Sequence, residues 1–507
     1  MEPKIIGAVA SVFAVIIMIL VVFNSVVMAT SFVISMIISF YLLHIIRRDS
    51  TDQKNKDARV MPWARSARNA KSRITFVAAL AVSLIVPVIG TVYSALSNLN
   101  AYTIYGSVVS FGMAMTFLFN FTNLPLALYH KSRESKISTV TSFPTVSVVV
   151  PAYNEEVLIR RTLLSLVECD YPAKEIIVID DGSKDRTFQI VNDFVAEHNS
   201  QGCKFILAKK ENGGKASAMN FALRFATGEV VVVVDADSII GRDALRDMVK
   251  HFQDRSVVAV GGNVKVLNRW NTITRCQALE YIVGINLLKR AFDIFGVVMI
   301  VPGALGAFRK SVLLERGSYD SDTLTEDFDA TVKALKSGNS VQANTDALSY
   351  TEAPTTLKDL YKQRLRWNRG NLQTMLKHRD VLKNGKFGML RDYGFPAVLL
   401  SMIISPFLGM VITIFTILAV LNGLWLFVIT AFVMFTCLQM TLAALAMLMD
   451  NEYDWKLILY SPLFVIGYKQ LMDYFMVKSM LDVLLSRKMT WTSAKRSGII
   501  TKEAIAA

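Results

Sequence analysis

The sequence is poor in cysteine, histidine and charged residues. Its four cysteines, at positions 169, 203, 276 and 437, are widely separated and form no CxxC pair. The sequence therefore predicts neither a disulfide framework nor a zinc site, and it fits a reducing compartment. Charged residues make up 19% of the chain against 53% hydrophobic residues, with a mean hydropathy of +0.40. A chain of 507 residues with this composition combines apolar membrane segments with a polar globular part.

The net charge of +14 is concentrated beside the apolar runs. Basic clusters lie at residues 47–48, 65–73, 131–136 and 487–496. Cytoplasmic loops of membrane proteins carry such an excess of Lys and Arg. We therefore expect membrane lipids as partners, and no nucleic acid.

Apolar runs occupy both ends of the chain. Residues 5–46, 74–94 and 104–128 predict an N-terminal membrane region, residues 1–130, of about four spans, because one span needs about 20 residues. Residues 395–420 and 424–449 predict two further spans. The stretch 457–485 contains Lys469, Gln470, Asp473 and Lys478, so it spans, re-enters or lines a polar cavity.

These runs predict a C-terminal membrane region at residues 390–486 with two to four spans. A basic tail follows at residues 487–507.

Between residues 145 and 378 the pattern changes to short β-rich runs that alternate with amphipathic helices. The predicted strands are 146–150, 175–179, 204–207 and 230–234, and the predicted helices are 155–166, 186–197 and 215–226. This alternation predicts an α/β domain with a mostly parallel sheet. Ligands bind such sheets at the carboxyl ends of the strands.

Three loops at predicted strand ends are candidate parts of a nucleotide site. Tyr153 and Glu155 follow the first strand, and Asp181 follows the second. Lys215 follows a glycine pair that opens a helix, where backbone N–H groups can bind a diphosphate. Taken singly, each pattern is equally compatible with an ordinary turn or helix start.

Two carboxylates at the end of the valine-rich strand predict a metal site. Asp235 and Asp237 flank one alanine, and residues i and i+2 of an extended chain point the same way. Mg²⁺ or Mn²⁺ is commonly held by one or two carboxylates together with substrate phosphates. A solvated turn is the alternative that we favour less.

Acidic residues follow Thr325 at the predicted start of another helix. Thr325 suits the N-cap position, and an acidic first turn is common in helices. Catalysis at a sugar hydroxyl needs a carboxylate base in the cleft. Asp327 is the preferred candidate for that base and Glu326 is its rival.

Residues 356–377 read as a basic amphipathic helix. One interpretation places it at the membrane interface with Trp367 at the lipid headgroups. In the other, Trp367 stacks on a sugar ring while Arg366 neutralises a leaving diphosphate. The two interpretations are compatible.

As a series, these motifs resemble the GT-A catalytic domain of membrane-embedded family 2 glycosyltransferases, which include the cellulose, chitin, hyaluronan and poly-N-acetylglucosamine synthases. The resemblance covers residues 148–370 and extends to the flanking spans. Residues 306–309 (GAFR) are closer to the poly-N-acetylglucosamine synthases than to the cellulose synthases, whose Phe-Phe-Cys-Gly-Ser is absent. After Trp367 this chain has Asn368-Arg369 where the family has Ala-Gln, and its N-terminal region has more predicted spans than the family pattern.

The resemblance implies a role for each matching residue. Asp181 would contact uracil, Lys215 the nucleotide diphosphate and Asp235 the nucleotide, while Asp237 would bind Mg²⁺ or Mn²⁺. Asp327 would be the catalytic base. Gln363, Arg366 and Trp367 would hold the diphosphate and the acceptor terminus, and the stretch 302–309, with Gly303 and Phe308, would line the acceptor position.

The function implied is inverting transfer from a UDP-sugar, UDP-GlcNAc above all, to a growing β-linked polysaccharide that the later spans help to export. The implied location is the plasma membrane, with the catalytic domain in the cytoplasm and an accessory export subunit as a further candidate partner. Two alternatives remain: transfer of a single sugar to a polyprenyl-phosphate carrier, and a transporter or receptor with a nucleotide-sensing domain.

Overall fold

A computed structural model of the chain describes residues 143–198 and 204–487, with scattered positions between 104 and 134. The predicted spans at 5–46 and 74–94, most of 104–128 and the tail beyond 487 lie outside the described residues. The chain divides into two compact units. The α/β unit comprises residues 132–281, 292–395 and those from 479 onwards; the helical unit comprises residues up to 131, Ile282–Ala291 and Pro396–Lys478.

The α/β unit contains one eight-stranded sheet. Its strands are β1 Val146–Ala152, β2 Lys174–Asp180, β3 Lys204–Lys209, β4 Val230–Val233, β5 Ser238–Ile240, β6 Val257–Val266, β7 Gly306–Arg309 and β8 Ser340–Thr351. The four strands predicted from the sequence correspond to β1 to β4, with shifts of up to two residues at their ends.

Fourteen α-helices lie between residues 143 and 487 of the described chain. They are α1 Ile159–Glu168, α2 Thr187–His198, α3 Lys215–Ala222, α4 Ala244–Val249, α5 Thr272–Glu280, α6 Leu287–Ile294, α7 Lys310–Glu315, α8 Glu326–Leu335, α9 Leu357–Lys377, α10 Asp380–Lys383, α11 Phe395–Leu399, α12 Ser405–Leu421, α13 Trp425–Met449 and α14 Tyr468–Leu484. Some of them are connected by π-helical segments, at Tyr281–Asn286, Leu390–Gly394 and Leu400–Ile404. Short 3₁₀ segments lie at Lys250–Gln253, Gly385–Phe387 and Trp455–Phe464.

The sheet is mixed: four of its seven strand pairings are parallel, including β6 with β8, and three are antiparallel. Its order is β3-β2-β1-β4-β7-β6-β8-β5, and β3-β2-β1-β4 is parallel throughout. Strand β7 runs antiparallel to both β4 and β6, and β5 runs antiparallel to β8. The sequence analysis predicted none of β5 to β8; of these, β5 and β7 are too short to show a periodic pattern.

The strand order reverses between β1 and β4, where open α/β sheets bind their ligands. Strands β1 and β2 end in register, with Ala152 opposite Asp180. Because β7 is antiparallel to β4, its first residue, Gly306, lies opposite Val233 at the end of β4. The loop before β7 therefore enters the sheet at the same edge at which β1, β2 and β4 end.

Apolar residues from both faces of the sheet form the core of the α/β unit. The central strands are completely buried, and Ile159, Leu163 and Leu166 of α1 pack into the same cluster. At the opposite edge of the sheet, Glu175 accepts hydrogen bonds from Ser147, Lys204 and Thr227. Burial alone would raise the pKa of Glu175, but these hydrogen bonds lower it to about 2. The polar side chains at this edge therefore bind one another, and their role is structural.

Among the residues that the structure describes, two helices are long and apolar enough to cross a membrane, Leu390–Leu421 and Trp425–Met449. The end of α13 is held by cations: Lys131 donates to the carbonyls of Leu448 and Met449, and Arg290 pairs with Asp450 at 3.0 Å. Cations stabilise the carbonyl end of a helix in this way. The ambiguous stretch 457–485 is not one helix, because the 3₁₀ segment Trp455–Phe464 is separated from α14 by a turn at Gly467.

Candidate active site

Hydrogen bonds join the turn after β1 to the residues that follow β2. Asn154 adopts a left-handed conformation with φ of 56°, and its backbone N–H donates to Ser183 Oγ. The N–H of Glu155 donates to Thr187 Oγ1 at 2.8 Å. Tyr153 and Glu155 are both half-buried at this edge. The structure thus brings these two predicted donor-site residues to the carboxyl end of the sheet.

Asp181 anchors the glycine loop that precedes α3. Its buried carboxylate accepts hydrogen bonds from the N–H groups of Gly213 and Gly214 and from Lys210 Nζ at 2.6 Å. Gly214 has φ of 84°, a conformation that other residues rarely adopt. Both oxygens of Asp181 therefore already have protein donors, and its visible role is to hold the start of α3. Sequence reasoning did not single out Lys210.

Asp235 and Asp237 lie in a turn and not in the extended strand from which their convergence was predicted. Strand β4 ends at Val233, and the N–H of Ser238 donates to the carbonyl of Asp235. Asp237 is 6% exposed, whereas Asp235 is half-buried and faces the first residue of α3. A tight turn replaced the predicted strand because β5 begins immediately afterwards at Ser238.

The ammonium group of Lys215 lies at the centre of an acidic cluster. Its Nζ is 2.6 Å from Asp235 Oδ1 and 3.2 Å from Glu326 Oε1. The charge of Asp327 also acts on this lysine. Four residues that the sequence singled out separately thus meet at one point, at the carboxyl edge of the sheet.

Burial and charge shift the pKa values of this cluster in a consistent direction. Burial would lower the pKa of Lys215, but the carboxylates of Asp235, Glu326 and Asp327 raise it above its usual range. The pKa of Asp327 is raised to about 6, first by burial and then by the negative charge of Glu326. Asp327 therefore has the proton affinity of a general base that works near neutral pH.

Gly303 makes room for Lys215. A Cβ atom at position 303 would lie 2.4 Å from Lys215 Nζ and 3.3 Å from Asp235 Oδ1. The resemblance assigned Gly303 to the acceptor position, whereas here it lies directly against the lysine and its carboxylate partner. Phe308, the other residue of this stretch, is buried within β7. Phe308 therefore supports the site from inside the sheet.

Helix α9 braces the start of α8. A Cβ atom on Gly370 would come within 2.8 Å of the backbone nitrogen of Thr325, so the two helices approach very closely. Thr325 occupies the N-cap position of α8, as expected, but its side chain makes no capping hydrogen bond; its Oγ1 lies 3.5 Å from Thr374 Oγ1. One turn further along, His378 contacts Asp329 at 2.9 Å. These contacts fix Asp327 relative to α9.

Aromatic and basic side chains form one wall at the first half of α9. The guanidinium of Arg364 lies 4.5 Å above the Trp367 ring and pairs with Glu280 at 2.7 Å. The ring of Tyr281 is 6.5 Å from that of Trp367, and the charge of Asp237 acts on Tyr281. Sequence reasoning missed Arg364 and Glu280, because nothing in the spacing shows that α5 ends beside α9.

The remaining two residues of the predicted motif are half-buried on the same helix. Arg366 and Gln363 are both partly accessible, and Gln363 Oε1 is buried without a hydrogen-bond partner among the described residues. A buried amide oxygen normally has a donor. A sugar hydroxyl group would supply one.

Two sets of carboxylates among the described residues are candidate positions for a divalent cation. Asp320, Asp322 and Asp329 lie within 4.8 Å of one another, but Lys377 Nζ is 2.6, 2.8 and 2.9 Å from them and supplies the neutralising charge. Asp235 and Asp237 offer carboxylate oxygens, the ligands that Mg²⁺ and Mn²⁺ prefer. Asp235 is likewise paired with an ammonium group, that of Lys215, so the two groups differ mainly in position: the pair at the end of β4 lies at the carboxyl edge of the sheet, where open α/β sheets bind their ligands.

Comparison with protein families gives one domain match. Residues 147–317 match the model described as glycosyl transferase family 2. The match begins in β1 and ends after α7, so it includes Asp181, Lys215, Asp235 and Asp237.

Curated relatives match a longer segment. Poly-beta-1,6-N-acetyl-D-glucosamine synthase of Staphylococcus epidermidis is 34% identical over 233 residues, which cover 46% of this chain and 56% of the relative. The enzyme of the same name from Staphylococcus aureus is 32% identical over 234 residues, with the same coverage. The match thus spans about half the length of these relatives.

One solved structure shares the fold. The mannosyltransferase PcManGT from Pyrobaculum calidifontis, in complex with GDP-Man and Mn2+, has a TM-score of 0.50 and 22% sequence identity, covering 75% of this chain and 100% of its own. At this identity the likeness concerns the fold alone. It agrees with the GT-A-like architecture and its mixed sheet.

We predict that Gly303→Ala lowers kcat/KM by between about tenfold and a hundredfold, because the added methyl group displaces Lys215 and small misplacements at a reacting centre are costly. Steady-state kinetics with a sugar nucleotide would measure the effect. Gly241→Ala is the matched control, since its Cβ would lie 3.5 Å from Leu348 Cβ in ordinary contact. Equal activity of the two variants would contradict the placement of Lys215.

Proposed function

We propose that this chain, which carries a family 2 glycosyltransferase domain, transfers N-acetylglucosamine from UDP-GlcNAc to a growing β-linked polysaccharide. The observation that carries the proposal is the meeting of Lys215, Asp235, Glu326 and Asp327 at the switch point of the sheet. The choice of sugar is supported by the names of the curated relatives, which are poly-β-1,6-N-acetyl-D-glucosamine synthases.

The proposed reaction is an inverting, in-line displacement. Asp327 takes the proton from the acceptor hydroxyl, whose oxygen bonds to the anomeric carbon as the bond to the diphosphate breaks. Negative charge develops on the departing diphosphate oxygens. Lys215 and Arg366 supply positive charge for them, and Lys215 exchanges its contacts with Asp235 and Glu326 for the diphosphate as that charge grows.

A divalent cation is part of the proposal. Asp237 would hold it, with Asp235 as a second ligand, and when bound it supplies additional positive charge beside the diphosphate. The Mn2+ in the complex of the mannosyltransferase with a similar fold supports this assignment.

The acceptor end is proposed to lie along the first half of α9. The buried, unpartnered oxygen of Gln363 and the half-buried ring of Trp367 are suited to a sugar residue. The contact of Arg364 with the Trp367 ring fixes the orientation of that ring. A grip on the acceptor terminus favours repeated addition over a single transfer.

We further propose a multi-pass protein of the plasma membrane with its catalytic domain, residues 145–378, in the cytoplasm. The helices Leu390–Leu421 and Trp425–Met449 are long and apolar, and only 11% and 33% of their most apolar windows are buried within the protein. Core helices of a soluble protein are mostly buried. The proposal also includes membrane regions at residues 1–130 and 390–486 and a basic tail at residues 487–507. It further includes export of the polymer and an accessory export subunit.

Asp327→Asn is expected to reduce polymer synthesis by about 10²- to 10⁴-fold, the usual contribution of a general base. Membranes given radiolabelled UDP-GlcNAc would be assayed for product length over time. Asp346→Asn, which changes an exposed carboxylate elsewhere on the sheet, serves as the control. Wild-type product that dissolves in organic solvent and never lengthens would contradict polymer synthesis.

The pH profile of kcat/KM is expected to fall below about pH 6, by about tenfold per unit, because Asp327 must be deprotonated to accept a proton. Glu326→Gln removes a negative charge that raises the pKa of Asp327, so the acid limb should move to lower pH in that variant. Initial rates in overlapping buffers would measure both profiles. An acid limb that stays fixed would exclude the proposed influence of Glu326 on the base.

Chelation of divalent cations is expected to abolish transfer, and Asp237→Asn should raise the Mg²⁺ or Mn²⁺ concentration at half-maximal rate by roughly tenfold or more. Asp322→Asn should leave that concentration unchanged, because its cluster is neutralised by Lys377. Metal titrations of the three proteins would compare them. If Asp322→Asn instead shifted the metal requirement, the cation would belong to the other acidic cluster.

A further inference from the structure

Tyr319 lies in the connection between α7 and α8, and the backbone before it has an unusual conformation. Gly317 and Ser318 both have positive φ, at 88° and 55°. Left-handed backbone is uncommon for a residue other than glycine and persists where the surroundings enforce it. The loop is therefore held in one particular conformation.

The constraint on this loop comes from α3. The side chain of Asn220 donates to the carbonyl of Tyr319 at 2.7 Å and accepts from its N–H at 3.0 Å. The helix that carries Lys215 in its first turn therefore also fixes the backbone of Tyr319. Tyr319 is placed relative to the acidic cluster by two hydrogen bonds.

The side chain of Tyr319 is buried but incompletely satisfied. It is 4% exposed, and its ring packs edge-on against Phe308 with centroids 6.3 Å apart. Its hydroxyl group is buried and has no hydrogen-bond partner among the residues that the structure describes. A buried tyrosine hydroxyl normally finds a partner, and leaving one without destabilises the fold.

The charged groups that act on this phenol are those of the proposed catalytic cluster. Lys215 lowers its pKa while Glu326 and Asp327 raise it, and burial, the largest effect, raises it further above the usual range. The phenol is thus neutral at physiological pH. A neutral phenol can both donate and accept a hydrogen bond, so the hydroxyl group suits a ligand group that does the same.

We propose that the hydroxyl group of Tyr319 binds a hydroxyl group of a sugar in the reacting complex. This inference rests on the proposed function, since it assumes that sugars occupy the space beside Asp327. A sugar hydroxyl both donates and accepts hydrogen bonds, so it matches a neutral phenol. The sugar is either that of the donor or the terminal residue of the acceptor.

Tyr319→Phe tests the proposal, because it removes one oxygen and keeps the ring against Phe308. We expect an unfolding temperature equal to or above that of the wild type, since an unsatisfied polar group is lost, together with a roughly 5- to 10-fold loss in sugar recognition. The full-length protein in detergent would be used for calorimetric binding of UDP and UDP-GlcNAc, and for KM with N-acetylglucosamine oligosaccharides.

The two sources of the sugar give different results. Weaker binding of UDP-GlcNAc with unchanged binding of UDP places the hydroxyl on the donor sugar. Unchanged nucleotide binding with a raised KM for the oligosaccharide places it on the acceptor. An equal loss of affinity for UDP and UDP-GlcNAc would overturn the proposal in favour of a nucleotide contact, and wild-type values throughout would also overturn it.

Tyr171→Phe is the matched control. Tyr171 is as deeply buried, but its hydroxyl donates to the carbonyl of Pro144 at 2.6 Å at the opposite edge of the sheet. This variant should lose stability and keep sugar recognition, the reverse of Tyr319→Phe. If the wild type prefers another UDP-sugar, the proposed donor is wrong, and the comparison of the two tyrosine variants is made with the preferred nucleotide.

Discussion

The ammonium group of Lys215, half-buried among carboxylates, constrains much of the α/β unit. A charge partly removed from water must be compensated by close opposite charges, and removing one partner leaves the others uncompensated. The start of α3, the end of β4 and the start of α8 therefore lie close together around Lys215, and Gly303 leaves room for the lysine side chain. Burial, and then the negative charge of Glu326, raise the pKa of Asp327 to about 6, so the arrangement that orders the cluster also suits the base that we propose.

Helix α9 has both a structural and a chemical role. Its first half carries Gln363, Trp367 and Arg364, and its second half holds the start of α8 through Gly370 and His378. The proposed acceptor grip and the proposed base therefore belong to one rigid arrangement. This explains why an amphipathic helix of 21 residues, whose composition suggests a membrane surface, contains so many buried polar contacts.

The sequence predicts the residues of the cluster well because strand ends and helix starts carry local signals. Asp235, like Asp181 outside the cluster, was located by the rule that parallel strands end at one edge, and Lys215 by the glycine pair that opens a helix. Strands β1 to β4 were located by their β-rich runs. The contacts that it missed join residues far apart in the sequence. Arg364 of α9 pairs with Glu280 of α5, and Asn220 of α3 binds the backbone of Tyr319. The extended conformation expected for Asp235 to Asp237 was wrong because the strand that follows begins too soon. The roles assigned to these residues, and the predicted N-terminal spans, stay predictions.

Arg369, next to the proposed acceptor grip, is buried and donates to the carbonyl of Arg487, 118 residues later, with Asp482 4.0 Å away. During synthesis at about 5–20 residues per second, α9 would therefore leave the ribosome roughly 6–24 s before its last partner exists. Until then the guanidinium of Arg369 lacks both the carbonyl of Arg487 and the carboxylate of Asp482. The contacts of α9 are thus complete only after α14 and Arg487 have been translated, and a chain that stops short of Asp482 would contain α9 without the contacts that Arg369 makes there.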